Sequence, residues 1–277
     1  MKPIRERIES SNSERLRFAL KWAEAASKAM RMTLELEYKE NDDRVASTQF
    51  VRRTQIIKVG LSPNVGDTDF EHHIAHELAH VISGPCGFTL DVDFEDETTL
   101  DRYEEEMTTY AEDDCILLNP YLGSCIPHVA VHRILAALGY TEENWDGYLI
   151  ERLKAKRPKN EIIDRVSNLV NLIQYDLIES SGYSALNTSE LQEILKSYFP
   201  SIAGEFRQIK SSMAQQEWDY LKPEDCLQAT NFLWQEFANI MDNRTTLNIS
   251  IGFQPPKEWE LGLVLVSLQR GSPPSKG

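Results

Sequence analysis

The stretch that decides the fold runs from Thr68 to Ser83 and reads TDFEHHIAHELAHVIS. Thr68 and Glu71 have the spacing of a capping box. Gly84-Pro85 follows as a stop signal, with the glycine expected in the left-handed conformation. Apolar residues recur between these signals at the spacing of a helix that buries one face, namely Phe70, Ile74, Leu78 and Val81. The sequence therefore predicts a helix over residues 68–83.

This helix contains the pattern HExxH, formed by His76-Glu77-Leu78-Ala79-His80. Residues four apart lie on the same face of a helix, so the imidazoles of His76 and His80 can bind one metal ion. Glu77 can take a proton from a water molecule on that ion, because zinc lowers the pKa of bound water toward about 7. The pattern predicts a Zn2+ site in a hydrolase, with Glu77 as the general base and acid.

A catalytic zinc site takes a third protein ligand. Glu106 is the main candidate, because a helix predicted over residues 100–118 places it on a face that is expected to be buried. Glu105 replaces it if the register slips by one residue. Cys86 is a further alternative, although the metzincin pattern is excluded because Ser83 and Cys86 stand where that class has Gly and His.

Further polar residues are candidates for supporting roles. Tyr103 and Tyr110 share the face of Glu106 and can stabilise an oxyanion. His73, four residues before Glu77, can hydrogen-bond its carboxylate. A last candidate, Asp113, can orient a zinc-binding imidazole.

Three histidines outside the motif are assigned no metal. His72 extends the stripe of the motif, but three residues spread over about 12 Å of helix cannot all reach one ion. His128 and His132 are again four residues apart. A polar edge on a packed helix is favoured for them, and stabilisation of the oxyanion by one of them is the alternative.

Two segments resemble the ImmA/IrrE family of zinc metallopeptidases. They are IIKVGLSPNVGDTDFEHHIAHELAHVIS, residues 56–83, and EEEMTTYAEDDCILLNP, residues 104–120. The resemblance covers roughly residues 15–122. Met107 and Thr108 depart from the Ala and Asn of the family pattern.

This resemblance implies zinc ligation by His76, His80 and Glu106, and catalysis by Glu77. It also implies an intracellular endopeptidase that cleaves a specific protein target. Such a target is a regulator in stress, defence or mobile-element control. A zinc-containing regulatory or sensor module without protease activity is the alternative, and a toxin-like protease that inactivates one host factor is a third possibility.

Composition narrows the partners and the compartment. The net charge of the 277 residues is −15, which lacks the basic footprint of phosphate-backbone binding, so no nucleic-acid partner is expected. No apolar run approaches the roughly 20 residues of a membrane span, and the first residues lack the core of a signal peptide. Four scattered cysteines fit reduced thiols. A cytoplasmic protein is expected, and its oligomeric state stays open.

The predicted fold class is α+β. Residues 1–122 are expected to form a minimal zincin-like lobe of a helix over residues 13–32, a small antiparallel sheet, the HExxH helix and the helix that carries Glu106. Residues 123–277 are expected to form a mostly helical lobe of undetermined role, closed by two strands at 246–253 and 261–268. Its predicted helices include residues 127–138, 161–179, 187–199, 201–221 and 223–242.

Overall fold

The computed structural model has an α+β fold that is mostly helical. It describes residues 2–39, 45–88, 90–93, 125–140, 150, 153–154, 161–180, 188–240, 248–251 and 254–273. Contacts divide the chain into two compact units. The first comprises Met1–Thr89, Ala130–Thr141 and Gly252–Gly277, and the second comprises Leu90–Val129 and Glu142–Ile251.

The first unit opens with two helices, α1 (Ile4–Glu9) and α2 (Glu14–Ala29). The Ser13 hydroxyl caps α2 by accepting a hydrogen bond from the Leu16 amide, as is typical of serine at this position. Trp22 is fully buried at the centre of α2. The helix predicted from residue 13 to residue 32 is confirmed.

The sheet of the first unit has three strands, β1 (Thr33–Tyr38), β2 (Ala46–Val51) and β3 (Ile56–Leu61). Their order is β1-β3-β2, with β1 parallel and β2 antiparallel to β3. The predicted antiparallel sheet is therefore wrong, because the sheet is mixed. Alternating side chains indicate a strand but not its partner, and here β3 pairs with β1 as well as with β2.

The helix that contains HExxH is α3 (Asp67–Ser83). The four apolar residues that predicted it are buried, and α3 packs against α2, β2 and β3. Its predicted capping box is wrong. The N-cap is Gly66, which has no side chain to cap the helix, so Thr68 lies inside α3. The Glu71 carboxylate is instead engaged by residues outside α3.

The predicted left-handed Gly84 is also wrong. Gly84 has a φ of −52° and continues into a 3-10 turn, Gly84–Cys86, and the left-handed residue is Gly87 with a φ of 85°. The structure gives Gly84 a different role. A Cβ atom there would lie 2.8 Å from the Met30 sulfur, so the glycine permits close packing rather than an unusual backbone angle.

Two further helices complete the first unit. The helix α4 (Pro127–Ala137) confirms the prediction over residues 127–138, and the boundary between the units crosses it after Val129. The last helix is α9 (Leu261–Arg270), where a strand was predicted. That prediction is wrong because the buried residues, Leu261, Val264 and Leu268, follow helical spacing.

Four long helices lie in the part of the second unit that the structure describes, and most of their bounds are close to those predicted. They are α5 (Glu161–Ser180), α6 (Thr188–Tyr198), α7 (Ile202–Ala214) and α8 (Pro223–Ile240). A short antiparallel pair joins β4 (Leu90–Asp93) to β5 (Asn248–Ile251). The helix predicted over residues 201–221 ends at Ala214.

Other expectations about organisation are not decided. The predicted helix over residues 100–118 lies outside the described residues, so the zincin-like arrangement stays a prediction. The division at residue 122 also stays a prediction, and the unit that holds α3 takes in segments from both sides of it. No helix in the described part of the chain combines the length and apolar character that a membrane crossing requires.

Candidate metal centre

The two histidines of the motif bring their ring nitrogens together on one face of α3. His76 Nε2 and His80 Nε2 are 3.2 Å apart, and the ring centroids are 4.9 Å apart. Two imidazoles that share a tetrahedral zinc ion at the usual Zn–N distance have their nitrogens about 3.3 Å apart. The pair therefore fits a single ion, as the sequence predicts.

A third imidazole joins this pair from α4. The ligand atoms of His76, His80 and His128 all lie within 4.8 Å of one another, so this group could hold a metal ion. His128 and His132 both lie on α4.

Sequence reasoning missed His128, because it favoured a polar edge for this residue and for His132. The signal was present, since the two histidines have the same four-residue spacing as the motif pair. His132 is buried, with its ring centroid 6.1 Å from that of His76, but it does not belong to the group of three.

Glu77, which the sequence predicts as the general base, is held by a residue of β2. Glu77 is only 7% exposed. Thr48 Oγ1, on β2, donates a hydrogen bond of 2.6 Å to Glu77 Oε2 and lies 3.2 Å from the Glu77 backbone oxygen. A buried carboxylate requires such a partner, and the distance is that of a strong charge-assisted bond. Thr48 was not among the residues that the sequence pointed to.

The remaining predicted residues divide into two sets. His73 lies one turn before Glu77 with its ring centroid 5.7 Å from that of His72, and its hydrogen bond to Glu77 stays a prediction. Five acidic and tyrosine candidates lie outside the described residues: Glu105, Glu106, Tyr103, Tyr110 and Asp113. Their roles stay predictions as well.

Cys86 does not join the histidines. It is 1% exposed, and burial raises the pKa of its thiol well above the ordinary value. A cysteine ligates metal as the thiolate, and burial in apolar surroundings disfavours that form. Within the described residues the group of possible ligands holds histidines only.

A cluster around Glu71 fixes α3 against its neighbours. Glu71 Oε1 accepts hydrogen bonds from Ser13 Oγ at 2.7 Å, Arg15 Nε at 2.8 Å and the Tyr140 hydroxyl at 3.0 Å. The Arg15 guanidinium also covers the Tyr140 ring at 4.1 Å and bonds the Gly139 carbonyl at 3.0 Å. The cluster thus ties the start of α2 and the residues after α4 to α3.

Two opposing influences set the pKa of the Glu71 carboxyl. Burial raises it, but the three hydrogen bonds and the positive charge of Arg15 together lower it below the ordinary value. Burial and the charge of Glu71 raise the pKa of Tyr140, which keeps the phenol protonated and able to donate.

Comparison with known proteins adds no family to this geometry. No family model, no curated protein and no solved structure matches the chain. The function of the centre therefore has to be inferred from the side chains that form it.

Proposed function

We propose that this chain is a zinc-dependent endopeptidase in which His76 and His80 hold the metal and Glu77 is the general base. One observation carries the proposal. A buried carboxylate, fixed by Thr48, follows directly on a histidine whose nitrogen lies 3.2 Å from that of a second histidine. This combination is what metal-assisted hydrolysis requires of a protein.

The chemistry divides between the ion and the chain. A bound Zn2+ supplies a Lewis acid that polarises a carbonyl and makes a water molecule acidic near neutral pH. His76 and His80 supply neutral imidazole nitrogens. Glu77 accepts the proton of the attacking water at its carboxylate and returns it to the leaving amide nitrogen. A carboxylate retains lone pairs for this task while Oε2 accepts the hydrogen bond of Thr48.

The third ligand in this proposal is His128, with Glu106 as the alternative that the resemblance to the ImmA/IrrE family implies. His128 is favoured because its ligand atom lies within 4.8 Å of those of the pair. Three protein ligands leave one coordination position for water or substrate, which is the arrangement of catalytic rather than structural zinc.

The proposed substrate is an extended segment of a specific protein. Among the described residues β2 has a neighbouring strand on one side only, since the sheet order is β1-β3-β2. An edge strand can pair with an added peptide through main-chain hydrogen bonds. Thr48 lies in the middle of β2, so a peptide paired there would run past Glu77. From the resemblance to the ImmA/IrrE family we further propose that the protease is cytoplasmic and has narrow specificity.

Zinc-loaded wild type and the Glu77→Gln variant, incubated with a peptide library of diverse sequence, test this proposal. We expect the variant to retain zinc, since neither histidine changes, and to lose cleavage by a factor of about 100 or more. Asp69→Asn, which neutralises an exposed acid on the same helix, is the matched control and should cleave as wild type does. Equal cleavage by wild type and Glu77→Gln would contradict the assignment.

A regulatory or sensor module is the second candidate, and the position of His132 favours it. Its buried ring lies 6.1 Å from that of His76, on the same helix as His128. A modest shift of α4 would give the ion a fourth imidazole, and four protein ligands form a closed structural site. X-ray absorption of the zinc-loaded protein separates the two functions, since a water oxygen among the ligands favours the peptidase.

A further inference from the structure

We propose that Thr48 is a positioning residue that holds the carboxylate of Glu77 in the orientation that proton transfer requires. This inference rests on the proposed function, because it assigns a role within the same hydrolytic site. It adds to that function a residue from a different element of the fold.

The sheet places Thr48 with little freedom. Thr48 lies opposite Val59 in the antiparallel pairing of β2 with β3, and Val59 is fully buried. Neighbouring side chains of a strand point to opposite faces, and Ser47 accordingly bonds Lys39 while Thr48 meets α3. The backbone of Thr48 is therefore held by the pairing of β2 with β3.

Thr48 contacts Glu77 at two points. The hydroxyl has one proton, and the 2.6 Å distance assigns it to Glu77 Oε2. Thr48 Oγ1 also lies 3.2 Å from the Glu77 backbone carbonyl oxygen, so the threonine side chain contacts both the backbone and the carboxylate of the glutamate. Holding a free glutamate side chain in one geometry costs rotamer entropy. Thr48 thus arranges the base before substrate arrives.

A structural role alone is the competing explanation, since any donor would satisfy a buried carboxylate. The two explanations differ in what the conservative variants do. Thr48→Val keeps the shape and removes the donor, whereas Thr48→Ser keeps the donor. Thr54→Val is the matched control, because Thr54 is an exposed threonine in the turn that follows β2 and its hydroxyl donates to the nearby Val51 carbonyl.

The first measurement uses metal-free protein and no substrate. Unfolding equilibria of wild type, Thr48→Val, Glu77→Gln and the double variant form a double-mutant cycle. We expect the unfolding constant of the double variant to differ by about fivefold or more from the product of the single effects. Independent effects would overturn the proposal, because the hydroxyl would then not act on the carboxylate.

The second measurement uses zinc-loaded protein and a peptide that the wild type cleaves. We expect Thr48→Val to lower kcat about 10- to 100-fold with zinc content and KM unchanged, and Thr48→Ser to restore most of the rate. An unchanged kcat in Thr48→Val would overturn the positioning role while leaving the peptidase assignment intact. Absence of cleavage by wild type itself would instead overturn the proposed function, and this role with it.

Discussion

The hydroxyl of Tyr140 lies 3.0 Å from Glu71 Oε1. This hydrogen bond ties the segment that follows α4 to the second turn of α3. The motif histidines occupy α3, and His132 and His128 occupy α4. The bond therefore does more than add stability. It connects the two helices that carry these histidines, through residues that do not belong to the group of three.

Stability should fall in acid because of Glu71. The folded-state pKa of its carboxyl is lowered from 4.5, so its contribution is fully present above about pH 4.5 and is lost as the pH falls through the folded value. Urea unfolding of wild type and Glu71→Gln between pH 3 and pH 7 measures this. We expect the two stabilities to converge in acid and to differ by roughly 1–3 kcal/mol near neutrality, since the lost bonds involve a charged group.

The same series separates Glu71 from ordinary surface acids. Glu190 forms an exposed ion pair with Lys154, at 3.0 Å, and Glu190→Gln is the control. Exposed pairs contribute little, so this control should change stability by at most about 0.5 kcal/mol at any pH. A Glu71→Gln variant as stable as the control near neutrality would show that the cluster does not hold the helices together.

Zinc content should depend on His128. We expect His128→Ala to weaken zinc binding about 100-fold, as does His80→Ala, because each removes an imidazole of the group of three. His72→Ala, which removes a histidine from the same helix as the motif, should bind zinc as wild type does. Equilibrium dialysis against Zn2+ gives the comparison. Full binding by His128→Ala, together with loss in Glu106→Ala, would return the third position to Glu106.

The parts of this centre that the sequence predicts are those whose residues lie close together along the chain. The period of the apolar residues and the HExxH spacing lie within one helix, so α3 and its histidine pair could be predicted. Thr48 and Glu77 are separated by 29 positions along the chain and meet only through the packing of α3 on β2. A contact of that kind leaves no pattern in either segment.

The errors have the same origin. Glu71 has the spacing of a capping box, but its carboxylate bonds residues from two other elements. The apolar run at residues 261–268 contains enough β-branched and aliphatic residues to suggest a strand, and burial of one face selected a helix instead. Likewise, the alternation in β1, β2 and β3 defines strands but not the mixed order in which they pair.

Gly84 provides a test of the packing around Met30 and Phe50. Its Cβ position lies 2.8 Å from Met30 Sδ and 3.0 Å from a ring carbon of Phe50, so Gly84→Ala forces one of these side chains to move. We expect a loss of about 1–3 kcal/mol in unfolding free energy, which is typical of overpacking. Met30→Ala should lessen that loss in the double variant.

Gly262→Ala is the control, because nothing lies within 4 Å of its Cβ position in α9, and alanine there should stabilise the helix by about 0.5–1 kcal/mol. Equal stability of Gly84→Ala and wild type would contradict the inference that Gly84 is needed for the close approach to Met30.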